Sequence, residues 1–136
     1  NAVLKGLGKS AMTKLRNIYF DFDKATLDAE DEKYLHQVKS ILNLDRASKL
    51  IIAGHADDRG TDDYNIKLSQ RRVQAVSKFL IAAGIPEERI VLKAYGESLP
   101  VVPCHGEDCS EEEHQKNRRA EFVLSPGDIT ATYRPE

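Results

Sequence analysis

Position 72 interrupts a pattern. Tyr64, Leu68, Val76, Phe79, Leu80 and Ala83 recur at helical spacing as one apolar stripe, and residue 72, four after Leu68 and four before Val76, is an arginine. A guanidinium on the inward face needs a partner, because an unpaired desolvated charge costs several kcal/mol. Asp57, in the loop that delivers the chain to this helix, is the natural candidate. Two arrangements are open. The pair is an internal salt bridge, or both groups face one cleft and divide a zwitterion between them. In the second case the carboxylate takes an ammonium and the guanidinium takes a carboxylate through two parallel hydrogen bonds. The start of the helix, from Gly60 to Asp63, adds backbone N–H groups that favour an anion. Arg71 falls off the stripe and reads as a solvated charge.

Other residues suggest other chemistry. Ile18-Tyr19-Phe20-Asp21-Phe22-Asp23 is an apolar strand ending in Asp-x-Asp, as in phosphatases that use the first aspartate as nucleophile and a magnesium ion. Thr26 falls one residue late for that motif, no later acidic pair supplies the metal, and the chain is short for such an enzyme. Asp21 and Asp23 can instead cap loop N–H groups. His55 lies at a strand end with no nucleophilic serine or cysteine in a recognisable setting and reads as a structural, hydrogen-bonded histidine. Cys104 and Cys109 sit close together in a polar stretch. A local disulfide fits an oxidising compartment; the competing reading is zinc held by Cys104, His105, Cys109 and His114, whose spacing matches no standard finger.

These groups need a scaffold. Arg16 to Phe22 alternates as a strand should. Asp28 caps a helix whose first turn holds Glu30, Asp31 and Glu32 and whose apolar face is Leu35, Val38, Ile41 and Leu42, running to about Leu44; His36 and the acids fall on its solvated face. Lys49 to His55 is apolar on both faces, as an inner strand is. A helix capped by Thr61 or Asp62 runs to about Ala83 and is stopped by Gly84 and Pro86. Ile90 to Tyr95 is a strand, Ser110 to Gln115 a short helix and Arg119 to Leu124 a last strand. The expected fold is α/β in two layers, β-α-β-α-β-(short α)-β, with a mixed four-stranded sheet against the helices. Residues 1–15 read as an extension or the end of a preceding segment, 16–125 as the domain and 126–136 as a loose tail.

Composition narrows the function classes. The 136 residues are 40% hydrophobic and 31% charged, enough for one folded core. The net charge of −2 and the lack of a basic stripe argue against nucleic acid. No apolar run approaches the roughly 20 residues that cross a bilayer. The N-terminus lacks the pattern of a signal peptide, which suggests a mature form or a fragment.

Taken in order, Tyr19-Phe20-Asp21-Phe22-Asp23-Lys24, Gly54-His55-Ala56-Asp57-Asp58-Arg59-Gly60-Thr61, Tyr64-Asn65, Leu68-Ser69-Gln70-Arg71-Arg72, Tyr95-Gly96-Glu97 and Asn117-Arg118-Arg119 resemble the peptidoglycan-binding domain of the outer-membrane protein A family, nearest its peptidoglycan-associated lipoprotein branch. The likeness covers roughly Asn17 to Leu124. It implies non-catalytic, cofactor-free and metal-free binding of peptidoglycan through the diaminopimelate of the stem peptide. It further implies a periplasmic site of action, tethering of the outer membrane through a segment outside this sequence, and further envelope proteins as partners. Asp57 and Arg72 match the family's key aspartate and arginine. Asp23, Arg59, Asn65 and Leu68 match positions lining the same pocket, and Asn117, Arg118 and Arg119 match a motif that supports the fold beside it. The Cys104–Cys109 loop departs from the family pattern.

Overall fold

The computed structural model describes residues 12–104 and 108–126. Most of the expected extension and tail, and His105, lie outside the described residues. Five strands and three α-helices follow the expected order: β1 (Thr13–Lys14), β2 (Ile18–Tyr19), α1 (Ala29–Leu44), β3 (Lys49–Gly54), α2 (Asp62–Ala82), β4 (Ile90–Ala94), α3 (Glu111–Asn117) and β5 (Arg119–Ser125), with a 3₁₀ turn at Glu87–Arg89 before β4.

The helix starts are set locally. Asp28 caps α1, with its side chain accepting from the Asp31 N–H while the Asp31 side chain accepts from the Asp28 N–H. Thr61 caps α2 by accepting from the Tyr64 N–H. Ser110 and Glu113 form the same reciprocal box on α3. Each arrangement satisfies N–H groups that a helix start otherwise leaves without partners.

The sheet order is β1-β5-β3-β4, and β2 also pairs with β5. β3 runs parallel to β4 (Ile52 opposite Leu92) and antiparallel to β5 (Ile52 opposite Phe122). The parallel pair follows from α2, which carries the chain back to the starting end between them. β1 and β2 both lie along the free edge of β5, Thr13 opposite Leu124 and Ile18 opposite Ala120. The sheet is therefore four positions wide. The expected strand Arg16–Phe22 is corrected in its extent: only Ile18–Tyr19 joins a ladder, because the chain turns at Asp21 to Lys24, closed by a Lys24 N–H to Asp21 carbonyl bond of 3.1 Å.

One face of the sheet carries the main core. Tyr34, Leu35, Val38 and Leu42 of α1 and Val73, Val76 and Leu80 of α2 pack on Leu50, Ile52, Ala120, Phe122 and Leu124. Ile51, Ala53 and Val123 form a smaller cluster on the other face with Met12, Val91 and Tyr95. β3 is thus apolar on both sides, as its sequence requires. The stripe of α2 differs from expectation at one end: Tyr64 is exposed and Asn65 is buried.

Gly54 lets α2 approach β3. A Cβ placed there would stand 2.5 Å from the Ser69 carbonyl oxygen and 2.7 Å from Val73 Cγ1. Gly54→Ala should push helix and strand apart and cost about 1–3 kcal/mol. Thermal denaturation of the variant checks this; an unchanged melting temperature would mean that the helix shifts freely.

Candidate functional site

The loop from His55 to Thr61, the first half of α2, the turn at Phe22–Asp23 and Arg118, between α3 and β5, meet around a cavity of about 250 Å³. Its lining is Phe22, Asp23, Asp57, Arg59, Gly60, Tyr64, Asn65, Leu68, Arg72 and Arg118. All six residues expected to bind ligand, Asp57, Arg72, Asp23, Arg59, Asn65 and Leu68, are brought together here. Gly60, at φ 101°, takes the left-handed turn that leads the loop into α2, a conformation that favours glycine.

Arg72 is fully buried, and its partners correct the internal-pair reading. Its Nε donates to the Lys24 carbonyl at 2.8 Å, one terminal nitrogen to the His55 carbonyl at 2.9 Å and the other to the Asp21 carbonyl at 3.2 Å. Asp57 is not among them. A guanidinium has five N–H donors, so two remain after these bonds. The Phe20 ring lies 5.1 Å from the guanidinium carbon. Burial lowers the Arg72 pKa, with the nearby Asp57 carboxylate opposing; the result is about 10, which leaves the group cationic at neutral pH.

Asp57 pairs instead with two other arginines. One carboxylate oxygen accepts from Arg59 at 2.7 Å and from Arg118 at 3.2 Å, and the other accepts from the Arg59 backbone N–H at 3.1 Å. Burial by itself would raise the Asp57 pKa. The hydrogen bonds from Arg59 and Arg118 outweigh it, and the pKa falls below the ordinary carboxylate value. Arg59 crosses the rim: its guanidinium lies over the Phe22 ring at 4.1 Å and reaches Glu111 at 3.3 Å.

The Asn117-Arg118-Arg119 run sends three consecutive side chains to three places. Asn117 accepts from the Val101 and Val102 N–H groups and donates to the Val102 carbonyl, which pins the loop before Cys104. Arg118 donates to the Phe20 carbonyl at 2.8 Å, to Asp57 and to Glu111 at 2.8 Å. Arg119 donates to Glu121 at 2.8 Å and to the Leu99 carbonyl at 3.0 Å. Arg118 therefore lines the cavity as well as bracing it.

Phe22, Gly60 and Tyr64 also line the cavity without having been singled out as binding positions. Single exposed rings are common on protein surfaces, so neither Phe22 nor Tyr64 carried a distinguishing signal in the sequence; both are exposed beside the cavity. Asp23 adopts φ 61°, unusual for a residue other than glycine, and accepts a hydrogen bond from the Tyr64 hydroxyl. That bond ties the turn to α2. Asn65 donates to Glu97 at 2.9 Å. His55 is buried with its ring stacked on Tyr95 at 5.4 Å and belongs to the opposite side of the sheet rather than to the cavity. Cys104 and Cys109 are joined as a disulfide. Among the described residues, Asp21 and Asp23 belong to no cluster of metal-ligating groups. Among the described residues the one cluster with metal-ligand chemistry is Asp58, Cys104 and His114.

Charges of both signs thus converge on a small, partly enclosed space. Asp23 and Asp57 face Arg59, Arg72 and Arg118, with Glu111 at the rim. Such a lining suits a group that carries both an ammonium and a carboxylate better than a simple anion or cation.

Comparison with known proteins gives a consistent picture. Residues 19–118 match the OmpA family. A stretch of 107 residues is 37% identical to the peptidoglycan-associated lipoprotein of Pasteurella multocida, covering 79% of this chain and 69% of that protein. A stretch of 110 residues is 38% identical to a Gloeobacter violaceus protein named photosystem I P700 chlorophyll a apoprotein A2; it covers 79% of this chain and spans only 13% of that protein's length. The fold matches the crystal structure of the peptidoglycan-associated lipoprotein from Burkholderia pseudomallei with a TM-score of 0.75 at 31% identity, covering 82% of this chain and 91% of that one.

Proposed function

The chain belongs to the OmpA family, and from that premise we propose that it binds peptidoglycan in the cavity around Asp57 and Arg72, anchoring its owner to the cell wall from the periplasm. The bound group is the side chain of diaminopimelate in the stem peptide, which ends in an ammonium and a carboxylate. The observation that carries this reading is a cavity of about 250 Å³ whose floor holds a buried arginine and a paired aspartate. Asp57 receives the ammonium. The two N–H groups of Arg72 left over from its backbone bonds, with the positive end of α2, receive the carboxylate. Arg59 yields part of its hold on Asp57 as the ligand enters and remains at the rim.

No step of this requires catalysis or a cofactor; the work is recognition. Each charge-assisted hydrogen bond contributes about 1.5–3 kcal/mol net, and ordering a flexible ligand offsets part of it. The expected affinity per site is roughly micromolar, about −8 kcal/mol. A wall displays many copies, so repeated capture still tethers firmly.

The test is co-sedimentation with purified, protein-free peptidoglycan, comparing the native chain with Asp57→Asn and Arg72→Lys, each first shown to be folded. Native chain in the pellet, at least ten-fold weaker binding in both variants and release by free diaminopimelate are expected. Folded variants that sediment as well as the native chain would remove the cavity from the mechanism.

A further inference from the structure

Beside the disulfide lie two groups that the wall-binding cavity does not use. His114, on α3, is 4% exposed, and its Nδ1 is buried without a hydrogen-bond partner. That nitrogen stands 3.7 Å from a carboxylate oxygen of Asp58. One ligand atom from each of Asp58, Cys104 and His114 lies within 4.8 Å of the other two. A buried imidazole nitrogen with nothing to bond is costly and uncommon. An oxygen, a nitrogen and a sulfur converging from a loop, a helix and a second loop form a donor set of the kind that holds zinc. Here the sulfur is committed to Cys109.

We infer that reduction of the Cys104–Cys109 disulfide opens a site for a zinc-like divalent cation at Asp58, Cys104 and His114. A dithiol reductant delivers two electrons and two protons, leaving Cys104 and Cys109 as thiols and itself as a disulfide. The cation then displaces the proton of the Cys104 thiol and binds the thiolate, the neutral imidazole Nδ1 and one Asp58 oxygen, with water as the fourth ligand. Donor atoms around tetrahedral zinc stand roughly 3.4–3.6 Å apart, as the usual zinc–ligand distances require. The Asp58–His114 separation is already close to that. Cys104 Sγ lies within 4.8 Å of both other atoms, so a shift of at most about 1 Å brings it to the same measure, which release from Cys109 allows. The Asn117 side-chain amide, 3.9 Å from Cys104 Sγ, stands ready to donate to the thiolate. Occupation would clamp the loop that carries Asp57 to α3, whose Glu111 holds Arg59 and Arg118.

Cobalt(II) reports such a site optically. The whole chain is titrated with cobalt in three forms: oxidised, reduced with a phosphine, and as Cys109→Ser without reductant. The oxidised form is expected to show only the weak pink absorption of hydrated cobalt. The other two should gain thiolate-to-cobalt absorption in the near ultraviolet and visible bands of tetrahedral cobalt, both removed by zinc. Adding His114→Gln or Cys104→Ser to Cys109→Ser should weaken binding at least ten-fold. Far-ultraviolet circular dichroism checks the fold, and the reduced native chain carries the test if Cys109→Ser does not fold. Absent bands in the reduced native chain, or bands that survive His114→Gln unchanged, would overturn the proposal.

Discussion

Arg72→Met should destabilise the fold by about 3–5 kcal/mol, because several buried carbonyls lose their donor at about 1–3 kcal/mol each. Methionine fills much of the same volume but donates nothing. The carbonyls of Asp21, Lys24 and His55 would then lose the donors that now gather them from two separate segments, and each buried acceptor left unsatisfied adds its own penalty. Two terms work in the mutant's favour: a desolvated cation is gone, and Phe20 gains an apolar neighbour. They are too small to reverse the sign, because three directed bonds disappear together. Arg72→Lys should fall between, since a single ammonium cannot span three carbonyls lying in different directions. Urea denaturation measures both. A methionine variant within 1 kcal/mol of native, an estimate of the ordinary range for harmless substitutions, would mean that the turn at Asp21–Lys24 holds itself.

The stability of this protein should fall with acid along two successive limbs, and Glu121 should dominate the second. Glu121 is 1% exposed on β5. Burial by itself would raise its pKa, but bonding to His55 and Arg119 and the Arg119 charge outweigh it and bring the value to about 2, against 4.5 for the free group. A carboxylate depressed in the fold contributes stability that is fully present above about 4.5 and drains away as the pH falls toward 2. The loss amounts to about 3 kcal/mol over that window. Asp57, also depressed, adds in the same sense. His55 starts the decline earlier. Burial lowers its pKa below 6.5, so the unfolded chain takes up a proton there first. Asp31 and Glu97 are raised chiefly by burial and act the other way, at half-exposed positions. Stability measured by urea melts should therefore ease downward below about pH 6.5 and steepen below 4.5. Glu121→Gln should flatten the steep limb while costing about 3–5 kcal/mol at neutral pH, because it leaves the buried Arg119 without its anion. A Glu121→Gln profile parallel to the native one would assign the acid limb to other groups.

The sequence by itself determined most of the elements and brought out Asp57 and Arg72 as candidate site residues, both of which line the cavity. Asp28 and Thr61 mark helix starts because a short polar side chain can satisfy N–H groups within its own turn. The doubly apolar run in β3 has only one place in a sheet, the inside. Arg72 faces inward because 3.6 residues make a turn, whatever surrounds the helix. What the sequence left open is what crosses between segments. Asp57 lies in the loop that delivers the chain to α2, so it was the expected partner of Arg72. The actual partners are backbone carbonyls, which every residue carries and no residue type announces. Arg118 reaches Asp57 from 61 positions away, and the early end of the expected first strand follows from a turn that must aim two of those carbonyls at α2. Local chemistry is written in residue types and spacing. Which side chain ends up beside which carbonyl depends on strand register and helix packing, and only the folded chain decides it.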